Sequence, residues 1–210
     1  MQTFLVFGTL KQQIEEIDML KQSDSKRLEE LMALGNRLVQ AARDSDLDSM
    51  KSCQVEMGQD RFFTWHIAKA FKRVIKGHSL DCLQFMTENG LNLRNSIFKG
   101  ALPLLASCPT SDIDLMNSLI DTLLAAGVSI NDTEKSTYST ALHIATALQN
   151  VPLVRLLLEK GADVNAINKL KIMPLNIVQH SSNPEAIEIH NLFIDAGGEG
   201  KWNSYEESGE

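Results

Sequence analysis

Cysteine is scarce and poorly placed for covalent or metal chemistry. The chain has three, Cys53, Cys82 and Cys108, an odd number with no CxxC or ligand spacing. That excludes a disulfide framework and points to free thiols buried among aliphatic neighbours in a reducing compartment, the cytoplasm or nucleus. Aromatics make up only 6% of the 210 residues, while Leu, Ile, Ala and Met are plentiful. Such a composition suits helices packed on aliphatic stripes, and the regular turn signals that separate short strands are missing. The predicted fold class is all-α. The opening MQTFLVFGTL is too short to span a bilayer and has no basic flank, so neither a membrane segment nor a secretory signal is expected. A basic excess is lacking too: 20 Lys+Arg stand against 27 Asp+Glu, net −7. Nucleic acid is therefore not an expected partner. The local exception is AKAFKRVIKGH, where Lys69, Lys72, Arg73 and Lys76 form either a solvated helix face or a patch for an acidic partner.

What the sequence does contain is a repeat. The clearest unit is TALHIATALQNVPLVRLLLEKGADVNA, from Thr140. Thr140 is a helix-capping residue ahead of a short apolar-striped helix. Gln149 and Asn150 mark a turn, and Pro152 suits the first turn of a second helix. That helix carries Leu153, Leu156 and Leu157 at core spacing and stops at Gly161, the residue type that closes helices in the left-handed conformation. Downstream, MPLNIV (173–178) lies 33 residues after TALHIA, and AIEIHNLFIDAGG ends at Gly197, 36 after Gly161. Upstream, LIDTLLAAGVSIN ends its helix at Gly127, and its partner KGALPLLASC precedes a longer loop, PTSDID. Further back, DCLQFMTENGLNLRN ends at Gly90, paired with FTWHIAKAFKRVI, in which His66 takes the place of His143. Four units share one plan: helix, turn, helix, glycine, extended loop.

Residues 140–165 resemble the ankyrin repeat, whose T-P-L-H-x-A, V-x-L-L-L and G-A-D-x-N segments are nearly reproduced in one frame. Ala141 replaces the motif proline, the hairpin before Thr140 lacks its glycine, and Pro103 and Asn176 replace the motif histidine. The resemblance covers residues 62–198. It implies a solenoid of stacked helix-turn-helix units with short hairpin loops, divided about 36–61, 62–97, 98–131, 132–165 and 166–199. Residues 36–61 form an atypical first repeat around Asp44, Ser45 and Asp46, as a terminal unit with one wet face requires. Residues 1–35 are read as an N-terminal helical extension: its stripe of Leu10, Ile14, Ile17, Leu28 and Leu31 caps the stack, docks on a partner or forms a short coiled coil. Residues 200–210, GKWNSYEESGE, are expected to be an acidic disordered tail.

Chemistry is not expected. No GxGxxG, GxxxxGK[ST] or GxSxG occurs, and no carboxylate lies at ligand spacing from His180 or His190, so neither a catalytic site, a metal site nor a cofactor is predicted. The resemblance gives His66 and His143 a structural role, bonding the motif threonine and nearby backbone, and gives His78 a local bond at its turn. It also implies a protein partner on the concave face, with no small-molecule substrate. Carried over, the contact candidates are Glu134, Lys135, Tyr138, Asn168, Lys169 and Lys171 at the hairpins, with Ala147, Leu148, Lys72 and Arg73 on the inner helices. Tyr138 leads, because an exposed aromatic at a loop tip is a frequent hot spot. The expected function is that of a non-enzymatic adaptor or scaffold. The alternatives are a structural subunit of a large assembly and a module that occludes an enzyme.

Overall fold

A computed structural model describes residues 25–57, 64–94, 98–108 and 110–199, together with residues 15, 18, 19 and 21. The described residues form ten helices in five antiparallel pairs. These are α1 (Ser25–Arg43) with α2 (Leu47–Met57), α3 (Thr64–Lys76) with α4 (Leu80–Glu88), and α5 (Ala101–Ala106) with α6 (Ile113–Ala125). The last pairs are α7 (Ala141–Ala147) with α8 (Val151–Glu159), and α9 (Pro174–Val178) with α10 (Pro184–Asp195). The first helix of each pair packs on the first helix of the next, and the second on the second, giving an inner and an outer layer. One hydrophobic core runs unbroken from Leu31 to Phe193. Among the described residues there is no strand, only a single antiparallel bridge between Thr133 and Thr140.

Local sequence explains where seven of the ten helices stop. Gly90, Gly127, Gly161 and Gly197 all sit at φ between +81° and +93°, one residue past the outer helices' last caps. Each closes its helix with a pair of backbone bonds. Gly161 N–H donates to Leu158 (2.9 Å) and Ala162 N–H to Leu157 (2.9 Å), and the same pair recurs at the other three. This is the left-handed glycine stop that satisfies otherwise orphaned carbonyls. Three inner helices, α1, α3 and α7, use the same stop without glycine. Ser45, His78 and Gln149 hold φ of +55°, +52° and +54°, and the residue after each donates back five positions, as Asn150 does to Ala145 (3.0 Å). Asp46, Asp112, Asn150 and Asn183 then cap the outer helices, each side-chain oxygen accepting from the N–H three residues on at 2.8–3.1 Å.

Two sequence-based expectations are redrawn. The division placed between residues 35 and 36 falls inside α1, which runs unbroken from Ser25 and packs along α3. Gly35 sits at that crossing, buried, where a Cβ would lie 2.4 Å from the His66 ring. A glycine that reads as a helix weakener is here a close-packing residue. The loop read as PTSDID is shorter, because Asp112 caps α6 and Ile113 and Asp114 are helical. Residues 1–14 and the tail 200–210 lie outside the described residues.

Candidate protein-interaction groove

The best-formed joint of the stack surrounds Thr140. The Ile172 carbonyl can only accept, so His143 Nε2, 2.9 Å away, carries the proton and Nδ1 is the acceptor. Nδ1 then receives the Thr140 hydroxyl (2.9 Å) and the Thr140 N–H (3.3 Å). Burial holds the His143 imidazole below its usual pKa, opposed by the bond to Ile172, so the ring is neutral and ties one unit to the loop of the next. Asn176 does part of this job one unit on: its Oδ1 accepts from Met173 N–H at 2.9 Å.

The hairpins project from that joint, held by their own side chains. Glu134 accepts from Thr137 N–H (2.8 Å), from the Ser136 hydroxyl (2.7 Å) and from the Thr137 hydroxyl. Those donors, Thr137 first, hold its carboxyl below the usual range. Asn168 organises the following tip, its Oδ1 accepting from Leu170 N–H (2.9 Å) and Ile172 N–H (3.1 Å). Lys169 N–H donates to the Thr137 carbonyl (2.8 Å), fastening tip to tip.

Between the hairpins and inner helices α3, α5 and α7 runs a groove of about 410 Å³. Its apolar lining includes the half-buried Leu104 and Ile144 and the edges of Phe71 and Phe98, an edge-to-face pair with centroids 5.0 Å apart. Four lysines border it: Lys72 and Lys76 from α3, Lys99 before α5, and Lys135 from the hairpin. Among the described residues none of the four is in an ion pair. Gly100 (φ +85°) lets the hairpin close in, since a Cβ there would stand 3.3 Å from Glu134 Cα.

The outer layer also has a depression, larger at about 680 Å³, between α6, α8 and α10. Its charges cancel. Arg155 pairs with Glu188 at 2.9 Å and Lys160 with Asp121 at 2.5 Å.

Comparison with known proteins adds the family. The family model for ankyrin repeats (3 copies) matches residues 68–168. The chain carries ankyrin repeats. It is 36% identical over 78 residues to the human ankyrin repeat and SOCS box protein 6, covering 37% of this chain and 18% of that protein. It is 25% identical over 108 residues to alpha-latrocrustotoxin-Lt1a of Latrodectus tredecimguttatus, covering 51% of this chain and 7% of the toxin. With alpha-latrotoxin-Lg1a of Latrodectus geometricus it shares 25% over 119 residues, 57% of this chain and 9% of the toxin. The chain thus spans less than a fifth of these relatives' lengths.

The ankyrin stack distributes the expected contact residues unevenly. Lys72, Lys135 and Glu134 meet at the groove, although the carboxylate of Glu134 is taken up within its own hairpin. Tyr138 stands 53% exposed at φ +56°, Leu148 is 49% exposed at the end of α7, and Lys169, Lys171, Arg73 and Ala147 are exposed. None of these six lines the groove, and neither does Asn168, which is turned into its loop. Sequence reasoning passed over Lys99, Leu104 and Ile144, and it passed over Ile167 and Leu170, 60% and 70% exposed beside Lys169. The signal for Lys99 was available, since it lies at the start of unit 98–131 as Lys135 lies near the start of unit 132–165.

Two histidines depart from the expected pattern. His66 follows Phe63, not a threonine, at the motif spacing, and its ring packs on Gly35. Burial, reinforced by the charge of Lys69, pushes its pKa down to about 4. His78 reaches beyond its own turn, donating from Nε2 to the Cys108 carbonyl 2.6 Å away in the next unit. Cys53 and Cys82 are buried free thiols, raised in pKa chiefly by burial, and Cys108 is half-buried. Among the described residues no three His, Cys, Asp or Glu side chains group as a metal set, and no helix is long and apolar enough to cross a membrane.

Proposed function

We propose that this chain is a non-enzymatic adaptor of the cytoplasm or nucleus that holds a protein partner on the inner-helix side of its ankyrin stack. Ankyrin repeats generally mediate protein–protein interaction. The observation that carries the assignment to this side is the contrast between the two depressions. The outer one has both its cations, Arg155 and Lys160, taken up in ion pairs, whereas the inner one sets an apolar floor beside four lysines that are in no ion pair among the described residues. The exposed Tyr138 and Leu148 extend the same side with apolar surface of the kind that anchors interfaces. The relatives' names include a SOCS box protein and two spider toxins, so what is shared is the repeat and not a process.

Affinity capture from cells with mass spectrometry tests this. Tyr138→Ala and Leu148→Arg should diminish a reproducible set of captured proteins without lowering the melting temperature. Ile187→Arg and Ile194→Arg, on exposed positions of outer helix α10, should leave the set intact. Loss confined to the α10 variants would reverse the assignment of faces.

A further inference from the structure

We propose that the groove between α3, α5 and α7 is a docking site for an extended acidic protein segment that presents at least one apolar side chain. This rests on the interaction reading above and names the chemistry of its partner. The argument begins with charge. The chain is net −7, yet Lys72, Lys76, Lys99 and Lys135 converge on one opening, from segments up to 63 residues apart in sequence, 72 to 135. Glu134 also lines the groove and stays ionised, but it is bonded to Ser136 and Thr137 and paired with none of the lysines, so the lining carries four positive charges against one negative. Four exposed cations around a low-dielectric floor sum their fields at the opening, which favours a ligand carrying several negative charges.

The floor then selects among acidic ligands. Leu104 and Ile144 are half-buried and backed by the Phe71–Phe98 pair, so a purely charged ligand would leave apolar surface wet. A ligand with an apolar side chain among its carboxylates satisfies both parts. About 410 Å³ lies within the usual range of ligand clefts, roughly 300–1,000 Å³, enough for an anchor side chain with flanking backbone. A nucleic acid would match the lysines, but the floor residues are aliphatic apart from ring edges and offer no broad stacking platform.

The test uses the full chain and random 12-residue peptides displayed on phage. Selection at low salt should enrich peptides that are net negative and contain a recurrent large apolar residue. Fluorescein-labelled copies of the enriched peptides, followed by anisotropy, should bind about tenfold or more weakly to Lys72→Glu/Lys99→Glu. Lys26→Glu/Lys51→Glu, equal in charge change but on α1 and α2, should alter binding by less than about twofold, with circular dichroism showing both variants folded. Alanine at the peptide's apolar position should weaken binding comparably. Enrichment of neutral or basic peptides, no enrichment, or equal loss in both variants would overturn the proposal. So would a labelled 20-nucleotide RNA that shows the same lysine dependence and displaces the peptide. Cellular partners retained by Lys72→Glu/Lys99→Glu but lost on Tyr138→Ala would overturn the groove assignment and leave the broader interaction reading standing. If no partner is captured by any form, that broader reading fails.

Discussion

His143 and His66 sit at the same place in two repeats, and each is only 2% exposed, yet they hold the molecule together differently. Around His143 the units are joined by hydrogen bonds, with the ring spanning Thr140 and the Ile172 carbonyl. Around His66 the ring is laid against a glycine on α1, the inner helix of the unit before. The central repeat therefore depends on which atoms donate and accept, and the N-terminal one on how closely two helices approach. A motif letter can be kept while its physical work changes, because burial is common to both uses and the surface the ring meets is not.

The largest expected effect breaks the hydrogen-bonded side of the comparison. His143→Leu takes the acceptor from the Thr140 hydroxyl and the Thr140 N–H, at about 1–3 kcal/mol per group, while the Ile172 carbonyl keeps the Asn168 N–H (3.1 Å), so a loss of about 2–6 kcal/mol is expected in urea unfolding. A cost under about 1 kcal/mol would show the joint to be packing alone.

The steric side comes next. Gly35→Ala places a methyl 2.4 Å from the His66 ring, so overpacking should cost about 1–3 kcal/mol despite alanine's better helix propensity, about 1 kcal/mol. If the ring is the obstacle, Gly35→Ala/His66→Ala will be less destabilised than the sum of the single variants. Additive effects would place the strain elsewhere.

Much of this was legible in the sequence, and the rest was hidden for definable reasons. The glycine stops announced themselves because only glycine adopts φ near +85° cheaply, so spacing alone placed Gly90, Gly127, Gly161 and Gly197. Thr140 was readable because a helix cap is local, whereas the role of His143 came from the resemblance, since its bond to Ile172 crosses to the next unit. The continuity of α1 through Gly35 was not, since an isolated glycine gives the same signal whether it ends a helix or admits a neighbour. The groove was half-legible: Lys72 and Lys76 are close in sequence, but Lys99 and Lys135 join them only through the stacking period. Glu134 and Asn168 looked like contact residues by loop position, while their acceptor oxygens serve their own hairpins.

Acid should act on both joints at once. Both rings have pKa values depressed in the fold, His66 from 6.5 to about 4, with burial the main cause in each. The unfolded chain binds protons first as pH falls, so stability declines with falling pH. The urea midpoint should be level between pH 8 and 7 and drop from about 6.5 towards 4. In His143→Leu the drop should be shallower, leaving the His66 share. A midpoint that rises on acidification would mean that the folded state binds protons more tightly, contrary to both assignments.

The smallest effect isolates backbone strain from either kind of joint. Ser45, His78 and Gln149 all occupy the left-handed region, but two of them have other work: His78 donates to Cys108, and Gln149 accepts from Asn183 at 2.7 Å. Glycine at those positions would relieve strain and sever a bond between units together. Among the described residues the Ser45 side chain makes no hydrogen bond, so Ser45→Gly changes the backbone term almost alone. A non-glycine residue in this conformation costs about 1–2 kcal/mol, of which glycine's extra freedom in the unfolded chain takes back about 0.5–1 kcal/mol. The net gain should be below about 1 kcal/mol, a rise of about 1–3 °C in melting temperature for a chain of this length. His78→Gly should fall instead, and the sign difference between the two variants measures what the bond to Cys108 contributes beyond the turn itself.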